Sequence, residues 1–213
     1  MLLHELLTAS LLLLPLGSVV AQSPHTQAVP DRAEDVCPLK PGMDVPDIRL
    51  AAVEGGMVSL PEACAEQPTV LIFYRGGWCP FCNVQLGQLQ SREQDLRDLG
   101  YRIIGISPDT PQHLKESIGK HELTYSLLSD SDMEAAKQFG VAYQLDKETV
   151  DKYKGYNLDI EGASGQTHHM LPVPAVFVLD RSGRIVFSYV NPDYKVRLDP
   201  DVLIAAAKAA VNS

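Results

Sequence analysis

Two cysteines that stand two residues apart, Cys79 and Cys82, are the residues of this sequence best suited to chemistry. They lie in the stretch FYRGGWCPFCNVQ, directly after the apolar run TVLIFY. A continuous apolar run of this length predicts a buried strand, and the residues after the second cysteine follow a helical pattern. The pair is therefore predicted to lie where a buried strand passes into the N-terminus of a helix.

A cysteine at a helix N-terminus is favoured as a thiolate, because free N–H groups and the positive end of the helix dipole stabilise negative charge there. Its pKa falls and it becomes a nucleophile near neutral pH. The second cysteine, one turn along, can then attack the first and close a disulfide. Pro80 suits the first helical turn. The spacing and position therefore predict redox chemistry at Cys79 and Cys82.

A zinc site and a purely structural disulfide are the two alternatives for this pair. A closed zinc site needs two further ligands, and no second pair of ligands stands at zinc-like spacing. A disulfide that closes so small a ring removes little loop entropy from the unfolded chain. Neither a metal nor another cofactor is predicted.

Length and composition are those of an ordinary globular domain, with 213 residues of which 45% are hydrophobic and 21% are charged. Acidic residues number 27 and basic residues 18, which gives a net charge of -9. A chain this acidic is poorly suited to binding nucleic acid or an anionic membrane through its surface.

The N-terminal stretch MLLHELLTASLLLLPLGSVVAQS predicts a signal peptide over residues 1–21, with cleavage after Ala21. Its apolar part, residues 6–20, is too short to span a bilayer comfortably. His4 and Glu5 stand where Lys or Arg is usual, so an uncleaved anchor or a misplaced start stays open. We expect a periplasmic or secreted protein whose mature chain has no membrane span.

Secretion bears on all four cysteines, because disulfides persist in an oxidising compartment. Four cysteines allow three pairings, and the economical one joins Cys79 to Cys82 and Cys37 to Cys64. The second bond would tie an N-terminal arm, residues 22–40, to the segment before the central strand. It requires Cα atoms about 5–6 Å apart, so the other pairings stay open.

Strand and helix patterns alternate along residues 41–213, which predicts one α/β domain with a central mixed sheet flanked by helices. Residues 144–170 are predicted to form an insertion or lid, helical over about 147–153. The other predicted elements are an N-terminal hairpin around Gly55-Gly56, a buried strand over 69–74, a helix through Leu86, Leu89, Leu96 and Leu99 that stops at Gly100, a strand over 101–107, a helix over about 111–121, a short strand in YSLLSD, a helix with a Ser131–Glu134 capping box that ends near Gly140, a hairpin around 181–183 and a helix over 200–211.

Three separated blocks of the sequence resemble known families. FYRGGWCPFC resembles the active-site strand and loop of the thioredoxin superfamily. PVPAVFVLDRSGRIV resembles the segment that begins with a cis-proline facing the cysteine pair, here Pro174. GISPDTPQHLKESIGKHELTYSLLSDSDMEAAKQFGV resembles the middle of peroxiredoxins of the alkyl hydroperoxide reductase and thiol-specific antioxidant family, and the RGGWCPxC motif resembles one peroxiredoxin-like subgroup. The likeness runs from about Pro41 to the C-terminus and implies a thioredoxin-like fold.

The resemblance allows two assignments of the attacking sulfur. In the thioredoxin register Cys79 attacks and Cys82 resolves. The peroxiredoxin signature has a proline, a Thr or Ser and the attacking cysteine, which fall here on Arg75, Cys79 and Cys82. In that register Cys82 attacks peroxide, and Cys79, a weaker hydrogen-bond donor, replaces the hydroxyl that would hold the peroxide. No cysteine follows Cys82, so Cys79 would resolve, with Cys64 or Cys37 as more distant candidates.

Two arginines are further candidates for the site. Arg75 ends the central strand and is predicted to favour the thiolate and to donate to a peroxide oxygen. Pairing with a surface carboxylate is the alternative. Arg197 and Tyr194 resemble a Tyr-x-x-Arg element of the peroxiredoxin-like subgroup that would fold back to the site, and anchoring the last helix is the alternative. Trp78 and Pro174 are predicted to form the surface where partners dock.

Together these features predict a thiol-dependent peroxidase that reduces hydrogen peroxide or organic hydroperoxides. A thioredoxin-like or membrane-borne dithiol would re-reduce the cysteine pair, and a homodimer is a compatible assembly. Two other functions stay open. One is a periplasmic thiol–disulfide oxidoreductase, a reductase or isomerase acting on protein disulfides. The other is a redox-sensing binding module that uses residues 144–170 as its partner surface.

Overall fold

The computed structural model describes residues 28–211, so the predicted signal peptide lies outside the described residues. A short 3-10 turn, Ala33–Asp35, comes first. The strands and helices that follow are β1 Arg49–Ala52, β2 Met57–Ser59, α1 Leu60–Glu66, β3 Thr69–Phe73, α2 Pro80–Ser91, α3 Glu93–Asp98, β4 Arg102–Ser107, α4 Pro111–His121, β5 Ser126–Ser129, α5 Glu134–Gln138, β6 Ala142–Gln144, α6 Lys147–Gly155, α7 Ile160–Ser164, β7 Met170–Pro172, β8 Ala175–Leu179, β9 Ile185–Val190 and α8 Pro200–Val211. None of the helices between residues 28 and 211 has the length and apolar character needed to cross a membrane.

Seven strands form one mixed sheet in the order β2-β1-β5-β4-β3-β8-β9. Strands β3, β4 and β5 run parallel, while β8 pairs antiparallel with β3 and β1 pairs antiparallel with β5. Leu71 in β3 faces Ile104 on one side and Phe177 on the other, which makes β3 the centre of the sheet. The predicted central mixed sheet, with hairpins at both edges, is confirmed.

Strands β3 and β8 are buried along their whole length, which explains why both are continuous apolar runs. On one face of the sheet Phe73, Phe139 and Phe177 pack with ring centres 4.9 to 6.0 Å apart. On the other face Ile72 packs in a cluster that includes Leu86 of α2. Packing on both faces fixes the end of β3 and therefore the start of the cysteine loop.

The helix predicted after the cysteine pair is interrupted once. Helix α2 ends at Ser91 and α3 begins at Glu93, while Arg92 between them leaves the helical conformation. The Arg92 side chain bonds Asp95 and Asp201, each at 2.5 Å. The predicted leucines still share one buried cluster across the break.

The predicted capping box of Ser131 and Glu134 is wrong. Helix α5 follows Met133, which has a positive φ of 62° and no capping side chain. The buried carboxylate of Asp130 instead accepts two backbone N–H groups of α5, each at 2.8 Å. Asp130 offers two oxygens, one for each N–H, whereas a serine has a single hydroxyl oxygen, and Asp130 therefore takes the role predicted for Ser131.

The predicted cis peptide bond before Pro174 is also wrong, since all peptide bonds between residues 28 and 211 are trans. The chain runs extended from β7 into β8. Within this passage the Val173 N–H donates to the Val141 carbonyl at 2.8 Å, and the Pro174 carbonyl accepts from the Asn191 N–H at 3.3 Å. A trans bond continues this extended path directly.

Residues 144–170, predicted as an insertion or lid, contain α6 and α7, and the predicted helix over 147–153 is confirmed as part of α6. Strands β6 and β7 pair antiparallel and close the base of this insertion. Trp78 and Tyr153 pack against its small apolar cluster, which consists of Leu145, Val150, Ile160 and Leu171. The insertion therefore contacts the loop that carries the cysteines.

The Asp130 cap leads to a stability prediction. Asp130→Ala leaves two N–H groups at the start of α5 without their acceptor, so we expect unfolding free energy to fall by about 1–3 kcal/mol. Urea denaturation followed by circular dichroism measures the change. Asp132→Ala, which removes an exposed carboxylate bonded once at 3.2 Å, is the matched control and should cost less. Equal losses in the two variants would contradict the cap.

Candidate active site

The loop between β3 and α2 carries Cys79 to the N-cap position of α2, with Pro80 as the first helical residue. Gly76 has a positive φ of 143°, and a Cβ there would lie 2.4 Å from the Trp78 indole nitrogen. Glycine is therefore required where the loop turns back. The Gly77 N–H donates to the Asp109 carboxylate at 2.7 Å, which ties the loop to the end of β4.

Both sulfurs of the pair are free thiols, with Cys79 1% and Cys82 0% exposed. The pKa of Cys79 is lowered, foremost because the Cys82 thiol donates a hydrogen bond to its sulfur, and burial opposes this. The Cys82 N–H and the two nearby arginines lower it further. The pKa of Cys82 is raised by burial and by its bond to Cys79. The pair therefore holds negative charge on Cys79 and a proton on Cys82.

An arginine faces each sulfur. Arg75 Nη1 lies 4.0 Å from Cys79 Sγ, and Arg197 Nη2 lies 3.3 Å from Cys82 Sγ. Arg75 is only 2% exposed, and within residues 28–211 it forms no ion pair with a carboxylate. The structure thus brings Arg75, Cys79, Cys82 and Arg197 together.

Three aromatic rings surround the Arg75 guanidinium. Its central carbon lies 4.1 Å from the ring centre of Tyr194, 4.9 Å from that of Trp78 and 5.5 Å from that of Tyr153. The Tyr153 hydroxyl accepts a hydrogen bond from Arg75 Nη2. Aromatic faces attract a desolvated cation, so these rings stabilise Arg75 where a carboxylate would otherwise be needed. Phe81 packs edge-on against Tyr194 and extends the aromatic surface.

Asp109 and Tyr153 belong to this site although sequence reasoning did not select them. Asp109 is not among the predicted site residues, yet it is buried, and burial is the main cause that raises its pKa to about 6. Tyr153 reaches Arg75 from α6, across a separation of 78 residues. The Tyr content of the insertion is a weak signal, because it does not say which ring faces the site.

The predicted disulfide between Cys37 and Cys64 is not formed, since both are free thiols. Cys37 is exposed and its carbonyl lies against Gly140, after the end of α5. Cys64 lies in α1, where burial raises its pKa to about 11 despite a hydrogen bond with the Thr69 side chain. The two sulfurs thus occupy separate environments.

Of the two residues predicted to form a docking surface, Trp78 is partly exposed and Pro174 is not. Trp78 is half-buried beside Arg75, 5.9 Å from the Tyr153 ring centre. Pro174 is buried between β7 and β8 in this dithiol form. A docking role for either residue stays a prediction.

A Cys-x-x-Cys pair at the N-terminus of the helix that follows the central strand of a mixed sheet defines the thioredoxin-like fold class. Within this class, a family model described as the AhpC/TSA family matches residues 41–188. The chain belongs to the AhpC/TSA family, as its resemblance to peroxiredoxins implied.

Relatives with similar sequences carry peroxiredoxin names. The chain is 36% identical over 104 residues to a protein of Haemophilus influenzae named putative peroxiredoxin bcp, which covers 49% of this chain and 66% of the relative. It is 34% identical to peroxiredoxin Bcp of Escherichia coli, with the same coverage of both chains. The chain therefore spans slightly less than two thirds of the length of these relatives.

Solved structures of peroxiredoxins share the fold. Peroxidoxin BcpB from Mycobacterium tuberculosis superposes with a TM-score of 0.62 at 21% identity, covering 80% of this chain and 97% of that one. Peroxiredoxin Q from Xanthomonas campestris superposes with a TM-score of 0.63 at 20% identity, covering 80% of this chain and 98% of that one. At this identity the likeness shows the fold alone.

The hydrogen bond between the two sulfurs leads to a pH prediction. With the pKa of Cys79 lowered to about 6, its alkylation by iodoacetamide should accelerate as pH rises through 6 and level off above it. Cys82→Ala removes the donor that stabilises the thiolate, so the midpoint should move up towards the pKa of an ordinary thiol. Mass spectrometry of Cys79 alkylation against pH measures both.

Cys37→Ser is the matched control for that titration, because it removes an exposed thiol of the N-terminal arm. Its midpoint should equal that of the unaltered protein. A midpoint that stays near 6 in Cys82→Ala would show that the inter-sulfur hydrogen bond does not set the Cys79 pKa.

Proposed function

We propose that this protein is a thiol-dependent peroxidase that reduces hydrogen peroxide and organic hydroperoxides through Cys79 and Cys82. One observation carries the proposal: the sulfur with the lowered pKa faces a buried arginine that has no carboxylate partner among residues 28–211. Such a guanidinium can donate to a peroxide oxygen held at the sulfur. Membership of the AhpC/TSA family and the peroxiredoxin names of its relatives support the same activity.

The reaction needs two covalent steps in the protein. The Cys79 thiolate attacks a peroxide oxygen, so an S–O bond forms as the O–O bond breaks. The sulfur is oxidised by two electrons to a sulfenic acid, and the other oxygen takes up a proton and leaves as water or alcohol. Cys82 then attacks this sulfur, the S–S bond forms, and the hydroxyl leaves with the Cys82 proton as water. An external dithiol reduces the disulfide by exchange.

We assign the attack to Cys79 because reactivity follows thiolate character. Cys82 is fully buried and keeps its proton, which suits the resolving role. The peroxiredoxin register, in which Cys82 attacks, is the competing assignment. Arg197, 3.3 Å from Cys82 Sγ, is the observation that favours it.

A periplasmic location, which we propose from the predicted signal peptide, would separate the protein from the glutathione and thioredoxin pools of the cytosol. A thioredoxin-like or membrane-borne dithiol would then deliver the electrons. Phe81, 39% exposed between the two cysteines, offers an apolar contact for such a partner. Formation of a homodimer stays a prediction.

Thiol–disulfide exchange with other proteins is the second candidate function. The lowered pKa of Cys79 and the raised pKa of Cys82 favour it, because an exchange enzyme also needs a thiolate at the first cysteine and a protonated second cysteine. It differs in substrate, since a protein disulfide must reach sulfurs that are at most 1% exposed.

Stopped-flow oxidation of the reduced protein by hydrogen peroxide tests the peroxidase and the attacking sulfur together. We expect oxidation much faster than that of free cysteine. Cys82→Ser should keep the fast phase and accumulate a sulfenic acid on Cys79, whereas Cys79→Ser should lose it. Mass spectrometry after trapping with dimedone identifies the oxidised residue.

If the fast phase is lost only in Cys82→Ser, Cys82 is the attacking cysteine, and the peroxidase proposal still holds. Oxidation no faster than free cysteine in the unaltered protein would exclude the peroxidase. In that case reduction of a protein disulfide such as that of insulin becomes the decisive assay for the second candidate.

A further inference from the structure

The Arg75 guanidinium links Cys79 to a hydroxyl that the insertion supplies. One terminal nitrogen, Nη1, points towards Cys79 Sγ at 4.0 Å, while the other, Nη2, donates to the Tyr153 hydroxyl. The guanidinium therefore contacts both groups, and, besides burial, the Cys79 charge also raises the pKa of Tyr153, so the sulfur and the hydroxyl interact electrostatically. A small oxygen compound bound at the sulfur would therefore lie close to the Tyr153 oxygen.

The proton of the Tyr153 hydroxyl is available for donation. A guanidinium is only a donor, so the Tyr153 oxygen accepts in the bond with Arg75, and its own hydrogen must point to another group. Burial of the side chain raises the pKa of Tyr153, although the Arg75 charge lowers it, so the phenol keeps its proton at neutral pH. The bond to a cation also makes this hydroxyl a better donor.

Packing of the insertion fixes the position of Tyr153. Asp146 precedes α6 and caps it, because its carboxylate accepts the Thr149 N–H at 2.6 Å. Val150 anchors the helix in the apolar cluster of the insertion, and the Tyr153 ring lies 5.9 Å from that of Trp78. The hydroxyl is thus placed before a substrate arrives, as electrostatic catalysis requires.

We propose that Tyr153 is a catalytic residue of the peroxidase, whose hydroxyl donates a hydrogen bond to the peroxide oxygen that leaves when Cys79 attacks. The role rests on the proposed peroxidase function and adds to it a residue from the insertion. Arg75 would contact the oxygen that is transferred to sulfur, and Tyr153 the oxygen that departs.

The step balances as follows for a hydroperoxide. The Cys79 thiolate gives an electron pair to the peroxide oxygen that carries the hydrogen, and the O–O bonding pair moves to the other oxygen. That oxygen leaves as an alkoxide or hydroxide whose charge the Tyr153 hydrogen bond stabilises. One proton from solvent neutralises it, and the products are the Cys79 sulfenic acid and an alcohol or water.

The decisive experiment compares two reagents on Tyr153→Phe, which removes the hydroxyl and keeps the ring. Reaction of reduced Cys79 with hydrogen peroxide should slow by about tenfold to a hundredfold, the usual effect of one lost donor to a developing charge. Reaction with iodoacetamide at the same pH should not change, because its leaving iodide takes no hydrogen bond from the phenol. Tyr156→Phe, at the exposed end of α6 with 63% of its surface in solvent, is the matched control and should leave both rates unchanged.

Each result decides the proposal. Equal slowing towards both reagents would overturn it, because Tyr153 would then act only by positioning Arg75 and the thiolate. A peroxide rate in Tyr153→Phe equal to that of the unaltered protein would overturn it as well. A fast phase lost only in Cys82→Ser would overturn it too, because Cys79 would then not attack the peroxide. Failure of the peroxidase itself is recognised separately, since the unaltered protein would then react with peroxide no faster than free cysteine.

Discussion

The buried guanidinium of Arg75 is the constraint around which the site is built. A cation removed from water is costly unless its surroundings compensate, and within residues 28–211 no carboxylate pairs with this one. Compensation comes from the Cys79 sulfur, the Tyr153 hydroxyl and the rings of three aromatic residues. These groups belong to the cysteine loop, the insertion and the segment after β9, so three distant parts of the chain are held together by one charge.

In the proposed peroxidase, burial of the sulfurs affects oxidation and reduction differently, because a peroxide is much smaller than a dithiol protein. Cys79 and Cys82 are at most 1% exposed, and rings from the insertion and the last loop stand beside them. A peroxide molecule needs only a narrow approach, whereas a dithiol protein must bring its own sulfur into line with the disulfide. In the proposed peroxidase, oxidation is therefore compatible with the buried arrangement of the sulfurs, and we expect reduction to require movement of the rings around Arg75.

Local signals in the sequence were sufficient for most of the fold. The apolar run of β3 and the helix over 111–121 depend on neighbouring residues, and both elements appear where they were expected. The sequence predicted Ser131 as the cap of α5, but the buried Asp130 accepts the N–H groups at the start of this helix instead. Sequence spacing does not show which of two adjacent polar residues will be buried.

The candidate site could be predicted where its residues are close in sequence or match a family motif. Cys79, Cys82 and Arg75 lie close together in the sequence, and Arg197 was found through a motif. Tyr153 could not be selected, because its contact with Arg75 depends on how the insertion folds over the loop. The trans bond before Pro174 likewise depends on the path between β7 and β8, where the resemblance implied a different backbone.

The hydrogen bond between the sulfurs, together with the two arginines, also determines how strongly the pair attracts electrons. These contacts stabilise the dithiol form by favouring a negative charge that vanishes when the disulfide closes. Selective stabilisation of the reduced form raises the reduction potential of a cysteine pair, as it does in the strongly oxidising members of this superfamily. Once oxidised, Cys79 and Cys82 would thus accept electrons readily even from a weakly reducing donor, and the energy released by cleaving a peroxide would be partly retained as oxidising power in the disulfide.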